Sequence, residues 1–403
     1  MRNRALVFVS ILLLALPTIA KIGTIDVVPA ATLLYPYFET DVSNPNGVNT
    51  LLTVQNASAT AILAHFTLWT DYGIPTANFN VYLTGYDVAT VDMRQILQRV
   101  LPISASAGQD PTDTVSPHGP ISQDINFASC SGALPAWQEN FVSPQLLAAH
   151  RGQQSTDFFG TGNCGGFNYG DGIARGFITV DTVNNCTMRR PETTGYFLPG
   201  GTGDATNQNV MLGDYMIVDP QNDRILADNA VHIEASATDP QTVPGQYTFY
   251  GLFAATNGAD NREPLPTAWA GRYSANRTTL GYWRDPGSVI APFPCGGAPA
   301  EYPLSQKQIR AFATNGNTAA ANTTNRFPIA SGKTAVSGAT GLGLTAPLGW
   351  VFVNLNLSTD AIRGSWVSFN NVPAGAATNA QAAYTVPGVA LGNAATNDNP
   401  TLP

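Results

Sequence analysis

Apolar and polar residues alternate with a period of two through much of the first half of the chain. The alternation is clearest in segments 62–69 and 78–83, and the apolar phase of the second segment runs from Phe79 to Leu83. This period is typical of a strand that buries one face. Turn residues separate the runs, as in segment 71–75 (Asp-Tyr-Gly-Ile-Pro). Short strands joined by turns favour an all-β sandwich or barrel over alternating strands and helices.

Two short helices are expected within this pattern. Asp92 is placed to cap a helix whose apolar residues recur at helical spacing from Ile96 to Leu101. Pro144 occupies the first helical position of a second helix at 143–150. Further strands are predicted at 50–55, 176–181, 211–218, 231–235, 247–253, 270–273, 280–284, 350–355 and 365–369.

The first twenty residues have the three-part pattern of a secretory signal peptide. Arg2 and Arg4 form a basic start, segment 5–16 is apolar apart from one serine, and a small residue, Ala20, precedes the cleavage position. We predict cleavage after Ala20, a mature chain that begins at Lys21, and secretion to the periplasm, the cell surface or the medium. No later apolar run is long enough to span a bilayer, so no transmembrane anchor is expected.

Few charges occur in this chain. Charged residues make up 11% of it, against about 25% in a typical soluble protein. The formal net charge is −8, and it becomes −10 when Arg2 and Arg4 leave with the signal peptide. Nucleic-acid binding needs clustered Lys and Arg to neutralise phosphates, so the composition excludes a nucleic-acid partner.

Four cysteines follow the signal segment: Cys130, Cys164, Cys186 and Cys295. An even number in an exported chain predicts two disulfides, and the spacing alone allows three connectivities. We favour Cys130–Cys164 with Cys186–Cys295, because this pairing ties the loop-rich middle to its neighbours. A structural zinc site is not expected, since no C-x-x-C pair occurs.

Catalytic motifs are weak or missing. The four histidines are dispersed, and no G-x-S-x-G nucleophile elbow is present. Segment 331–334 (Ser-Gly-Lys-Thr) ends like a P-loop, but Phe327 stands where that motif needs glycine. A glycoside hydrolase would need two facing carboxylates, and the glutamates to consider are Glu39, Glu139, Glu234 and Glu263.

Two kinds of binding residue stand out. Asp219, Asn222 and Asp223 could supply oxygen ligands to calcium, although ordinary turn residues are the favoured interpretation. Trp69 and Tyr82 fall on the polar phase of their strands and are candidates for stacking on a ligand, with core packing as the alternative. The same alternatives apply to the wider set of aromatics, which comprises Trp69, Tyr72, Tyr82, Trp137, Trp269, Trp283, Trp350 and Trp366.

Several segments together resemble secreted bacterial proteins that have no assigned activity. They are LLYPYFE (33–39), the run from LAHFTLWTDYG to DMRQIL (63–97), ARGFITVDTVNNC (174–186) and GGTGDATNQNVMLGDY (200–215). The resemblance covers much of residues 31–235. It implies an exported protein with an immunoglobulin-like β-sandwich near its start, and it implies no catalytic residues.

The predicted fold is all-β, mainly β with a few short helices, and contains an immunoglobulin-like β-sandwich plus a second β-rich region. In chain order we predict a signal peptide (1–20), the sandwich (24–105), a loop-rich, cysteine-containing insertion (106–175), a β-rich continuation (176–300), a linker (301–345), a C-terminal β segment (346–390) and a disordered tail (391–403).

The expected function is that of an exported bacterial cell-surface or extracellular protein with a structural or binding role. Its partner would be a polysaccharide or a protein surface, and no enzyme activity or resident cofactor is expected, apart from the calcium considered above. Two alternatives stay open: a secreted carbohydrate-active enzyme with paired carboxylates, and a glycan-binding module.

Overall fold

The computed structural model describes residues 27–102, 141–239, 242, 248–250, 259–275, 277–286, 290–297, 306–316, 318–320, 327, 329–338, 341–356, 364–371 and 381–391. The predicted signal peptide, Cys130, Trp137 and the tail after residue 391 lie outside these ranges. The described chain is mainly β with a few short helices, so the predicted fold class is confirmed. The helices are α1 (Met93–Leu97), α2 (Ser143–His150) and α3 (Thr156–Phe159), with 3-10 turns at Pro199–Gly201 and Pro220–Asn222.

Three larger sheets and one small one form the architecture. The first sheet has the order β10 (Val231–Ile233), β1 (Thr32–Thr40), β7 (Ala174–Val183), β3 (Ile62–Thr70) and β4 (Pro75–Leu83). The second has the order β16 (Ser331–Ala335), β12 (Thr278–Arg284), β18 (Ser365–Asn371), β19 (Gln381–Pro387), β9 (Arg224–Asn229), β8 (Met211–Asp219), β2 (Asn49–Asn56) and β5 (Val88–Asp92).

The third sheet has the order β15 (Thr318–Ala320), β14 (Gln308–Ala313), β17 (Leu348–Asn354), β11 (Ala268–Ser274) and β20 (Val389–Ala390). A two-stranded ladder joins β13 (Phe293–Pro294) to β6 (Asn163–Cys164). The strands β14, β15 and β16 lie within 301–345, the segment predicted as a linker, and each pairs with a neighbouring strand.

One parallel pairing connects the two halves of the chain. β19 lies parallel to β9 and antiparallel to β18. Strands from residues 49–229 and strands from residues 278–387 thereby form one continuous eight-stranded sheet. Every other strand pair in the described sheets is antiparallel.

The predicted helix starts agree with the structure, and one predicted strand does not. Asp92 caps α1, with its carboxylate accepting a hydrogen bond from the Arg94 backbone N–H at 2.8 Å. α1 ends at Leu97, before the apolar residues that were predicted to continue the helix to Leu101. Residues 248–250 form a turn, so the strand predicted at 247–253 is wrong where it is described.

The first sheet is buried on both faces, which the alternation did not predict. The polar phase of β3 and β4 is covered by the segment that follows β7: Asn80 Nδ2 donates to the Thr187 carbonyl at 3.2 Å, and the His65 ring packs against Tyr196. Trp69 and Tyr82 are therefore completely buried, and their prediction as ligand-stacking residues is wrong. The Trp69 indole N–H donates to Thr179 Oγ1 at 2.9 Å.

The described disulfide joins Cys164 to Cys295 across 131 residues. The preferred pairing of Cys130 with Cys164 is therefore wrong, because Cys164 on β6 pairs across its ladder with the β13 region that leads into Cys295. Cys186 is also disulfide-bonded. The Cys164–Cys295 bond fastens the α3–β6 segment to the second half of the chain.

Removing this crosslink should weaken the fold measurably. We expect Cys164→Ala with Cys295→Ala to lower the free energy of unfolding by about 2 to 5 kcal/mol, because the crosslink closes a long loop in the unfolded chain. Urea unfolding of the double variant, followed by tryptophan fluorescence, measures this difference. A midpoint equal to that of the wild-type protein would show that the disulfide contributes nothing to stability.

A second, noncovalent tie lies between the first sheet and later segments. Arg262 is fully buried and contacts two buried carboxylates, Asp181 at 3.5 Å and Asp260 at 3.6 Å. Burial by itself lowers the pKa of this guanidinium, but the two carboxylates outweigh it and raise the pKa. Tyr196 and Tyr250 donate their hydroxyls to Asp181 at 2.7 and 3.1 Å. Segments from four parts of the chain thus converge on one ion cluster.

Replacing Arg262 should leave two carboxylates buried without their cation. We expect Arg262→Met to lower the free energy of unfolding by about 3 to 5 kcal/mol, and Arg262→Lys to lie between this variant and wild type because it keeps the charge and loses the planar fork. The exposed Arg277 supplies the matched control, and Arg277→Met should change stability by no more than about 0.5 kcal/mol. Equal effects at the two arginines would contradict the assignment.

Asp71 is a buried acid at the junction of three segments. Its Oδ1 accepts the Phe167 backbone N–H at 2.9 Å, and its backbone carbonyl accepts the N–H groups of Ala330 and Ser331. Burial raises the pKa of Asp71 from 3.8 to about 7, against the opposing effects of the Phe167 N–H and Arg175. The folded protein therefore favours the protonated form of this acid.

The stability that Asp71 contributes should fall as the pH rises. The folded pKa lies above the unfolded one, so the contribution is fully present below pH 3.8 and is lost by about pH 7. Asp71→Asn stays neutral, and we expect it to gain up to about 4 kcal/mol relative to wild type between pH 4 and 8.

Chemical denaturation of the two proteins across this pH range gives the difference directly. Other titrating groups cancel in it, including His150, whose pKa burial lowers to about 4 and whose own effect has the opposite sign. A difference that does not vary with pH would contradict the raised pKa of Asp71.

Candidate functional site

The outer face of the third sheet carries exposed aromatic and cationic side chains. Trp350 on β17 lies in register with Arg272 on β11 and with Phe312 on β14. The indole is 44% exposed, and Phe312 packs edge-to-face with Phe352 at 5.7 Å between ring centroids. We call this set of side chains the Trp350 platform.

This arrangement follows from the two phases of β17. Val351 and Val353 face the core, whereas Trp350 and Phe352 occupy the opposite phase and point outward. The other side of the sheet is packed by inward residues of β11 and β14, such as Trp269 and Ile309. The platform is therefore a rigid surface, because β11, β14 and β17 beneath it are anchored in the core.

A groove runs beside the platform along the free edge of β11. β20 pairs with Trp269 and Ala270, and no other described strand pairs with this edge from Gly271 onward. The groove has a volume of about 370 Å³, and small-molecule sites occupy about 300 to 1,000 Å³. Its lining residues are Ala270, Gly271, Arg272, Tyr273, Ser274, Leu348, Trp350, Phe369, Asn371 and Val389.

Polar groups with different roles surround this apolar lining. The Arg272 guanidinium lies 6.0 Å from the centre of the Trp350 ring, at the outer range of a cation–π contact. Tyr273 is buried at the groove wall, burial raises its pKa, and its hydroxyl has no hydrogen-bond partner among the described residues. A buried hydroxyl without a partner costs free energy, and Tyr273 lies in the core-facing phase of β11, opposite to that of Arg272.

The free edge of β11 is too short for a peptide strand. The Ser274 backbone N–H is already taken by Thr278 Oγ1 at 2.8 Å, and the Ser274 carbonyl accepts the Arg277 N–H. Only residues 271–273 remain between this turn and β20. The site is consequently suited to stacking and side-chain hydrogen bonds, and not to extension of the sheet.

Most of the predicted aromatic candidates are core residues. Among those described, Trp350 is exposed, while Trp69, Tyr72, Tyr82, Trp269, Trp283 and Trp366 are at most 5% exposed. Sequence reasoning listed Trp350 among eight aromatic candidates without singling it out, and it missed Arg272, Phe312 and Phe352. One sequence signal could have singled out Trp350. In the strand 348–354 both faces carry apolar residues, but the aromatic residues all lie on one face.

The glutamates do not form the predicted carboxylate pair at this site. Glu39 is ion-paired with Lys333 and accepts the Tyr37 hydroxyl at 3.0 Å. Burial raises the pKa of Glu39, but Lys333, Arg175 and Tyr37 outweigh burial and hold it below its usual range. A carboxyl with a lowered pKa is a poor general acid at neutral pH.

The other predicted glutamates lie elsewhere. Glu234 and Glu263 are neighbours across a short bridge, where the Glu263 N–H donates to the Glu234 carbonyl at 2.8 Å, and neither lines the groove beside the platform. Glu139 lies outside the described residues.

The described histidines are buried structural residues. His65 Nδ1 lies 2.8 Å from Asn80 Oδ1, and His150 bridges Thr76 Oγ1 and the Arg175 carbonyl at 2.9 and 3.0 Å. Burial lowers the pKa of both rings, so both are neutral at pH 7.

The predicted calcium residues form a hydrogen-bonded turn. Asp219 accepts the backbone N–H of Asn222 at 3.3 Å and its amide Nδ2 at 2.7 Å, and Asp223 takes a left-handed conformation. Within the described ranges, no group of three or more His, Cys, Asp and Glu residues is placed to hold a metal ion. Calcium binding at this turn remains a prediction.

Comparison with known proteins returns nothing that assigns a function. The chain matches no protein-family model, and neither the curated proteins nor the solved structures contain a match to it. None of the described helices is long and apolar enough to cross a membrane. The candidate site therefore stands on its geometry, and that geometry is a rigid aromatic surface beside a groove with polar walls.

Proposed function

We propose that this chain is an exported, non-enzymatic bacterial protein that binds carbohydrate at the Trp350 platform. The single observation behind the proposal is the exposed Trp350 indole, held on a rigid sheet beside a groove. A sugar ring presents C–H bonds on its faces and hydroxyls on its rim. An aromatic face ringed by hydrogen-bonding groups complements both.

The groove supplies the groups that would hydrogen-bond to the hydroxyls of the sugar. Arg272, Ser274 and Asn371 surround the apolar floor with guanidinium, hydroxyl and amide groups. These groups hydrogen-bond to neutral hydroxyls without requiring a charged ligand. The small number of charged residues in the whole chain fits a surface that interacts with neutral polymers.

Export is supported by two independent features. The N-terminal residues have the pattern of a signal peptide. The Cys164–Cys295 disulfide and the bonded state of Cys186 fit an oxidising compartment, where such bonds persist. The segment resemblance to secreted bacterial proteins agrees with both.

Loss of the indole should abolish most of the binding. We expect Trp350→Ala to weaken retention on an insoluble or immobilised polysaccharide at least tenfold, since tenfold is about 1.4 kcal/mol and burying a large aromatic contributes more than that. Affinity electrophoresis against a panel of plant, fungal and bacterial polysaccharides measures the loss, and assay of soluble sugar in the same samples tests for hydrolysis.

Tyr169 provides a matched control. It is 43% exposed, and the Arg175 guanidinium lies 4.2 Å from its ring centre. We expect Tyr169→Ala to bind as the wild-type protein does. Equal losses in the two variants, or no retention of the wild-type protein on any polysaccharide, would overturn the proposal. Release of soluble product would favour the carbohydrate-active enzyme instead.

A further inference from the structure

The Trp350 platform contains one row of side chains that crosses three neighbouring strands. Arg272 on β11, Trp350 on β17 and Phe312 on β14 lie in register with one another. All three occupy the outward phase of their strands, and side chains opposite one another on neighbouring strands are about 5 Å apart. The row therefore spans about 10 Å, from the groove at the edge of β11 to β14.

The rows on either side of this one differ in exposure. On one side, Ala270 and Arg310 flank Phe352, and Ala270 is only 5% exposed. On the other side, Ser274 pairs with Leu348, which is 39% exposed, and both line the groove. A path along β17 toward Phe352 meets buried or half-buried residues. The accessible path for a long ligand runs across the strands.

Phe312 adds a second aromatic side chain beside Trp350. It is partly exposed, and its ring packs edge-to-face on Phe352, with 5.7 Å between ring centroids and 88° between ring planes. Such a contact favours one orientation of the ring. Trp350 and Phe312 are separated by one strand spacing, about 4.8 Å. Successive sugar rings of an extended glycan chain repeat at a similar distance.

We infer that the Trp350 platform binds an extended glycan chain through three consecutive sugars, and this inference rests on the proposed carbohydrate binding. One sugar would stack on Trp350, and the next would contact Phe312. The sugar on the opposite side would enter the groove, where Arg272 and Ser274 would meet its hydroxyls. Glycosidic bonds already hold the neighbouring sugars close, so each added contact costs little further freedom of movement. A single sugar fills one of the three positions and binds more weakly.

Titration calorimetry of the full-length protein with fragments of defined length tests the inference. The fragments contain one to six sugars and come from the polysaccharide that retains the wild-type protein most strongly. We expect the trisaccharide to bind at least tenfold more tightly than the monosaccharide, because two more positions are filled. Fragments of four to six sugars should gain less than threefold over the trisaccharide.

Variants locate the neighbouring position. Phe312→Ala should weaken binding of the trisaccharide about fivefold and leave binding of the monosaccharide unchanged, whereas Trp350→Ala should weaken binding of every fragment. Phe312→Leu keeps an apolar side chain against Phe352 but loses the flat ring, and it should show the same dependence on length as Phe312→Ala.

Phe167 supplies a matched control for Phe312. It is 42% exposed on the loop between β6 and β7, and its ring packs edge-to-face on Tyr169 at 4.7 Å between centroids. Phe167→Ala should bind every fragment as the wild-type protein does. Circular dichroism and thermal melting confirm the fold of each variant, and Phe312→Leu decides the outcome where Phe312→Ala does not fold.

Four outcomes would overturn the inference while the proposed function stands. They are equal affinity for the monosaccharide and the trisaccharide, no binding of any fragment up to six sugars, equal weakening of short and long fragments by the Phe312 variants, and equal losses in Phe312→Ala and Phe167→Ala. Failure of the wild-type protein to bind any polysaccharide would overturn the proposed function, and this inference with it.

Discussion

A buried guanidinium holds together parts of the chain that are far apart in sequence. Arg262 reaches Asp181 on β7, Thr32 on β1, and the carbonyl of Thr206 at 3.0 Å. Burying one cation with two carboxylates is costly unless every partner is in place. The cluster therefore requires one arrangement of the first sheet and the segments that cover it.

The candidate site depends on stacking more than on charge. At the Trp350 platform, exposed apolar area and a polar rim would bind a ligand through stacking, with little dependence on salt. Trp350 presents this area on β17, a strand that Val351 and Val353 anchor in the core.

The sequence located many of the strands but not their surroundings. The sequence located strands such as the one predicted at 211–218 and observed at Met211–Asp219, and Asp92 located a helix start, because both signals are local. Burial of the polar phase of β3 depends on contacts such as Asn80 with Thr187, 107 residues apart. Likewise, Glu39 and Lys333 are 294 residues apart, and neither carries a local sign of the other. The exposed indole of Trp350 could be listed but not distinguished from core tryptophans by pattern alone.

The parallel pairing of β19 with β9 sets an order of events for the growing chain. β19 is the last strand of the eight-stranded sheet to be synthesised, and domains begin to fold as their residues emerge. Until it arrives, β9 and β18 each keep one unpaired edge, and such edges readily pair with other chains. A chaperone that shields strand edges during synthesis and export would therefore protect this protein most in the interval before residue 381 emerges.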